Sequence, residues 1–218
     1  MCVLLGLREA FLSYGRWMMR VGRGILGIRV ETAGLDLLDP GIPYVLMSNH
    51  LSYLDGPLLV TVLDRPVRVI VKRFVFRIPV LGLGMRFAGY VPLDKNAAGS
   101  GRERIARAAR LILEKRYSFL IFPEGIRSPD GTLQPFRRGG FFLALEAGAS
   151  IVPVSIRGTY ELMPRGRGFV RKGLVRITFH EPIPAAGLTQ ETIPELMEKV
   201  ESSISSVGIH QETPIPVP

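Results

Sequence analysis

Tyr44-Val45-Leu46-Met47-Ser48-Asn49-His50-Leu51-Ser52-Tyr53-Leu54-Asp55-Gly56-Pro57 passes from four apolar residues directly into a polar stretch. A short apolar run of this kind predicts a buried strand, and the polar residues after it sit at the strand end, where loops of α/β sheets gather functional groups. Working outward, similar β-rich runs recur at 28–31, 67–71, 119–122, 151–156 and 175–179. Helical stretches separate them. The clearest are 102–116, with Ile105, Ala108, Ala109 and Ile112 on one face, and 138–148, ended by Gly148. This alternation predicts an α/β fold: a single domain with a central mixed sheet flanked by helices, preceded by an N-terminal amphipathic helix.

The chain has 218 residues, enough for one domain with a real core but cramped for two. With 47% hydrophobic and 22% charged residues, an intrinsically disordered chain is excluded. Cys2 is the lone cysteine and there are three histidines, which removes an internal disulfide and a structural zinc finger. The 28 basic and 19 acidic residues leave +9, an excess that points to a polyanion: nucleic acid, an anionic membrane face or an acidic or phosphorylated partner. A mean hydropathy of +0.24 leans toward lipid, because nucleic-acid binders carry such charge on a more polar chain.

Arginines at 8, 16, 20, 23 and 29 interrupt the first thirty residues, so no apolar span of a bilayer is expected there, nor a cleavable signal. At helical spacing Leu7, Phe11, Tyr14, Met18, Val21 and Ile25 form one stripe with Trp17 at its edge, and Glu9, Ser13, Arg16, Arg20 and Arg23 lie opposite. Such a helix suits a membrane interface and equally suits docking on the protein's own core. Thr192-Ile193-Pro194-Glu195 predicts a capped start for a last helix. The expected units are 1–27, an amphipathic membrane-associating helix; 28–208, the α/β domain; and 209–218, a proline-rich tail. Gly82 and Gly84 read as helix-end turns and Arg102, Glu103, Arg104, Arg107 and Arg110 as a solvated helix face.

Gly22-Arg23-Gly24-Ile25-Leu26-Gly27 matches a dinucleotide fingerprint in letters only, since it follows a helical pattern and no acid lies about 20 residues on. Phosphate-loop, serine-hydrolase and zinc-protease signatures are missing. His50 and Asp55 are a better candidate. Five residues apart on a continuous helix they would diverge by about 140°, so they meet only if the chain turns between them, with Ser52 as a fair helix cap. So arranged, Asp55 fixes the imidazole tautomer while the other nitrogen takes a proton from a substrate hydroxyl. Phe122-Pro123-Glu124-Gly125-Ile126-Arg127-Ser128 ends another apolar run. Glycine admits close backbone approach and arginine grips a phosphate with two parallel hydrogen bonds, although the same residues suit a surface turn with a Glu–Arg ion pair.

In this order the blocks resemble the glycerolipid acyltransferases of the 1-acyl-sn-glycerol-3-phosphate acyltransferase (PlsC) family. Asn49-His50-Leu51-Ser52-Tyr53-Leu54-Asp55 resembles its NHxSxxD block, and Gly89-Tyr90-Val91-Pro92-Leu93-Asp94-Lys95 its second block. The stretch from Phe122 through Ser128 is similar to FPEGTRS with Ile126 for threonine, and Ile151-Val152-Pro153-Val154-Ser155-Ile156 to the VPV block. Lys72 precedes a Pro79-Val80-Leu81-Gly82 stretch like the family's, with Phe74 where an acid is usual. The likeness spans roughly 26–184.

The resemblance implies an acyltransferase at the cytoplasmic face of a membrane. It would esterify a lysophospholipid, most simply 1-acylglycerol 3-phosphate, from acyl-carrier protein or acyl-CoA, with no metal or bound organic cofactor. His50 is then the general base and Asp55 its orienter. Arg127, with Lys72, Arg137 and Arg138, would hold the acceptor phosphate; Glu124 and Gly125 would shape that loop, and Asn49, Ser52, Phe122, Pro123 and Ser128 support the motifs. Alternatives are the same chemistry on another acceptor, such as a lyso-ornithine lipid, or a non-catalytic basic membrane-binding module. The expected partners are the lipid acceptor, the acyl donor and an anionic membrane surface, not nucleic acid.

Overall fold

The structure, a computed structural model, describes residues 2–72, 76–79, 81–87, 90–93 and 101–208. The proline-rich tail and Asp94 and Lys95 lie outside them. Helix α1 (Cys2–Ile25) leads into β1 (Ile28–Ala33), and β2 (Val45–Ser48) precedes α2 (Asp55–Val62). Then come β3 (Val67–Lys72), α3 (Leu81–Phe87), β4 (Val91–Leu93), α4 (Gly101–Lys115) and β5 (Ser118–Ile121). The chain continues with α5 (Gly139–Ala147), β6 (Ile151–Arg157), α6 (Thr159–Leu162), β7 (Gly173–Phe179) and α7 (Ile193–Ser205).

Among the described residues the strands form one sheet in the order β1-β7-β6-β2-β5-β3-β4. β2 pairs in parallel with both β5 and β6, and β3 with β5 and β4. β7 is antiparallel to β6 and parallel to β1. Five strands therefore run one way and β1 and β7 the other. The carboxyl ends of β2, β5 and β6 share one end of the sheet with the starts of β1 and β7.

The central strands are covered on both faces, so they read as continuous apolar runs rather than alternating ones. Val45 and Met47 of β2 point into a core built with Phe119, Phe141, Ala144 and Val200, under α4, α5 and α7. Leu46 points the other way, among Leu58, Leu59, Val152, Val154 and Leu162, where α2 and α6 pack. Pro153 sits in β6 opposite Met47, beyond the β6–β7 ladder that begins at Val154.

Three local expectations need correction. The Thr192 side chain makes no capping bond; it is already in a helical conformation after a short 3-10 turn, and its hydroxyl donates to the Thr189 carbonyl. Ser52 does not cap α2: it stands two residues before the cap position, Leu54, whose N–H its hydroxyl oxygen accepts at 3.3 Å while the hydroxyl donates to the Met163 carbonyl at 2.7 Å. Gly82 and Gly84 lie within α3 rather than at a turn.

α1 settles on the domain by its polar side. Arg20 Nε donates to the Thr61 carbonyl at 3.0 Å and Arg16 Nη1 to the Arg65 carbonyl at 3.4 Å, at and beyond the C-terminal end of α2, where unpaired carbonyls favour a cation. Phe11 meets Phe87 of α3 edge-on at 5.3 Å. Tyr14, Trp17, Met18, Val21 and Ile25 stay exposed. Two of the arginines expected opposite the apolar stripe are thus bonded inward, while the stripe from Tyr14 to Ile25 stays exposed. Leu7's side chain is not described. No helix among the described residues is long and apolar enough to cross a membrane.

Candidate active site

His50 and Asp55 meet because the chain turns at the end of β2. Asp55 opens α2 and is fully buried, and its Oδ2 stands 2.8 Å from His50 Nδ1. The same oxygen accepts the backbone N–H groups of Leu51 and Ser52, each at 2.7 Å, so three donors converge on one carboxylate oxygen. A carboxylate bonded to Nδ1 places the ring proton there and leaves Nε2 with its lone pair. The imidazole lies flat on Phe122, with ring centroids 4.0 Å apart and planes 18° from parallel, so its orientation is fixed by stacking as well as by the hydrogen bond.

The backbone of His50 is held from both sides by the loop after β5. Its N–H donates to Glu124 Oε1 at 2.6 Å, and its carbonyl accepts the Ser128 N–H at 2.7 Å. The other Glu124 oxygen accepts the Gln134 N–H at 2.9 Å. Glu124 is buried with both oxygens occupied by backbone donors, so it splices two loops and forms no ion pair with Arg127. Burial pushes its carboxyl up to about 7, against the pull of the Gln134 and His50 amides, and the neighbouring Asp55 charge pushes the same way as burial. Asn49 supplies the third tie. Its Nδ2 donates to the Ile156 carbonyl at 2.9 Å and its Oδ1 accepts the Ile156 N–H at 2.8 Å, a side chain imitating a strand partner at the end of β6.

Arg127 lies with its guanidinium 3.5 Å above the Tyr53 ring, and its Nη1 is buried with no partner among the described residues. A buried guanidinium nitrogen without an acceptor is costly, and here it marks where an anion would complete the site. Gly125 takes a φ of +70°, and a Cβ there would come within 2.9 Å of Arg137 Nε, so glycine permits both the turn and the close pass of Arg137. Arg137 donates its backbone N–H to the Pro123 carbonyl. Ser128 accepts the Gly131 N–H and donates to Asp130, closing the loop.

The structure thus brings together His50, Asp55, Asn49, Ser52, Phe122, Pro123, Glu124, Gly125, Arg127, Ser128 and Arg137. Arg138 is directed elsewhere, lining an open groove with Pro194, Met197 and Glu198. Lys72 ends β3, and its side chain is not among those described. Tyr53 and Gln134 were not singled out from sequence. Tyr53 sits at a variable position of its motif, and its contact with Arg127 joins two motifs 74 residues apart; no local pattern announces it. Among the described residues there is no group of three or more His, Cys, Asp and Glu side chains that could hold a metal ion.

Comparison with known proteins identifies the family. Residues 29–157 match the acyltransferase family model. The chain is 30% identical over 206 residues to human 1-acyl-sn-glycerol-3-phosphate acyltransferase alpha, covering 94% of this chain and 73% of the human one. To a chloroplastic 1-acyl-sn-glycerol-3-phosphate acyltransferase of Brassica napus it is 39% identical over 157 residues, 71% of this chain and 45% of that one. The crystal structure of the 1-acyl-sn-glycerophosphate acyltransferase PlsC from Thermotoga maritima superposes with a TM-score of 0.79 at 29% identity, over 93% of this chain and 79% of that one. With the family model matching more than half of its length, and relatives and a solved fold of the same kind, the chain belongs to the acyltransferase family and is an enzyme of its PlsC-like branch.

Proposed function

We propose that the enzyme transfers a fatty acyl group from an acyl thioester, carried by acyl-carrier protein or coenzyme A, to the free hydroxyl of 1-acylglycerol 3-phosphate, giving phosphatidic acid. The observation that carries this reading is the bond from His50 Nδ1 to the buried Asp55, which turns Nε2 to the task of a base, beside a loop whose Arg127 Nη1 has no partner among the described residues. The lysolipid hydroxyl gives its proton to His50 Nε2 as its oxygen attacks the thioester carbonyl. The carbon–sulfur bond then breaks, and the proton passes from His50 to the departing sulfur. Asp55 stabilises the imidazolium formed between these steps. Arg127, held flat by Tyr53, binds the acceptor phosphate. No metal and no bound organic cofactor takes part in this scheme.

The same reading places the enzyme on the cytoplasmic face of a membrane, with residues 1–27 as the lipid contact and 28–208 as the catalytic domain. The uncovered stripe of Tyr14, Trp17, Met18, Val21 and Ile25 supports it. Purified enzyme offered a panel of lysolipid acceptors should turn over lysophosphatidate fastest. His50→Ala should lose at least about 10²-fold in kcat while keeping its fold, and Asp55→Ala somewhat less. A folded His50→Ala variant with near-normal turnover would remove the base from this scheme, and equal rates on head groups lacking a phosphate would remove the acceptor.

A further inference from the structure

The connection from α6 to β7 carries Arg165, Arg167, Arg171 and Lys172 with no acidic residue among 165–172, and Phe169 stands among them. All five are exposed, Phe169 to 58%, and the Arg167 guanidinium lies 5.6 Å over its ring. In water this arrangement gains little beyond one exposed cation–π contact: like charges crowd one another and an aromatic ring faces solvent. At an anionic lipid interface the same features are favourable, because the cations meet head groups while the ring leaves water.

Its place in the fold selects that partner. Residues 28 and 173 are register partners at the starts of β1 and β7, so α1 and this loop enter the sheet side by side. Gly173 N–H donates to the Gly27 carbonyl, and a Cβ on Gly27 would come within 3.0 Å of Lys172 Cβ. The loop therefore continues from the C-terminal end of α1, where Ile25 is 82% exposed. It also begins beside the candidate active site. The Met163 carbonyl accepts the Ser52 hydroxyl, and Tyr160 in α6 donates to the Pro129 carbonyl.

We propose that residues 165–172 are a second lipid-binding element, a basic loop with one inserting phenylalanine that docks on an anionic bilayer surface beside the mouth of the active site. It extends the membrane reading of α1, so the test varies the two elements separately. With full-length protein, vesicles of phosphatidylcholine containing phosphatidylglycerol are compared with phosphatidylcholine alone in sedimentation. Each surface cation is worth roughly five-fold in such binding at modest salt, so replacing Arg165, Arg167, Arg171 and Lys172 together by glutamine should weaken binding to the anionic vesicles by at least about ten-fold. Binding to the neutral vesicles should change little, and turnover of a soluble short-chain acceptor should be kept, which shows that the fold survives. Phe169→Trp in a Trp17→Phe background should show a blue-shifted emission on anionic vesicles. Unchanged binding by the glutamine variant, or no emission shift, overturns the proposal whatever α1 does. Unchanged sedimentation with turnover lost only toward an acidic carrier-protein donor also overturns it, by making the loop a protein dock. If serine substitutions at Tyr14, Trp17 and Ile25 leave binding intact while the glutamine variant loses it, the reading of α1 fails and that of the loop stands.

Discussion

At the scale of single residues, the site depends on side chains that position other groups. Arg127 and Tyr53 form one such pair. Arg127→Ala should cost on the order of 1.5–3 kcal/mol in acceptor binding, and Arg127→Lys should not restore it, since a lysine ammonium has no planar fork to lie on a ring and grip two oxygens. Tyr53→Ala should raise the acceptor KM through loss of about 1 kcal/mol of cation–π support, with Tyr53→Phe close to normal and the donor KM unmoved; steady-state kinetics in both substrates checks this. Glu124 makes a prediction in pH. Its carboxyl stands at about 7 in the fold against an ordinary 4.5, so the stability it contributes is fully present below pH 4.5 and is lost as pH rises through 7, where folding must bury a charge. Denaturant unfolding of Glu124→Gln and the parent should converge or diverge across that window by at most about 3 kcal/mol, the parent losing stability relative to the variant toward alkaline pH. His50, Asp55 and Arg127 were legible in sequence because each bears a functional group in a motif. Tyr53 was not, because only folding sets it under a guanidinium.

At the scale of elements, α1 bonds to the domain through its arginine face and leaves the residues from Tyr14 to Ile25 exposed on the other. Arg20→Ala removes a charged hydrogen bond to the end of α2 and should lower stability by about 1–2 kcal/mol, visible as a fall in Tm. Trp17→Ser touches an exposed side chain and should leave Tm unchanged while reducing vesicle binding. An equal effect of both on Tm would mean that the aromatic stripe packs on the domain. The amphipathic pattern foretold the helix but not which side would dock, since periodicity identifies two faces without saying which one meets protein. The helices over 102–116 and 138–148 and the six longer strands were legible for the same reason, periodicity and apolar runs. β4 was not. Three residues including Pro92 carry too little pattern, and only pairing with Ile70, Val71 and Lys72 makes them a strand. The Thr192 cap failed because a preceding 3-10 turn had already set its backbone in a helical conformation, where a cap needs an extended one.

At the scale of the whole molecule, the sequence carried the fold class but not the strand order, which rests on pairings between residues more than a hundred positions apart, as between β1 and β7. Nor did it carry the reversal of those two strands, which brings the end of α1 to the same end of the sheet as His50. Three backbone groups at that end are of special interest: the amides of His50, Ser128 and Ile156, each bonded to another segment of the chain. Loops of active sites often open well below the free energy of global unfolding, and exchange their amide hydrogens accordingly. Here the segments bearing the base and the arginine are fastened to the ends of three neighbouring strands, so they belong to the same cooperative unit as the sheet. Those three amides should exchange at rates near the slowest in the protein. On heating, catalytic capacity and native circular dichroism should then vanish together, without a lower-temperature phase in which a folded enzyme has already gone silent.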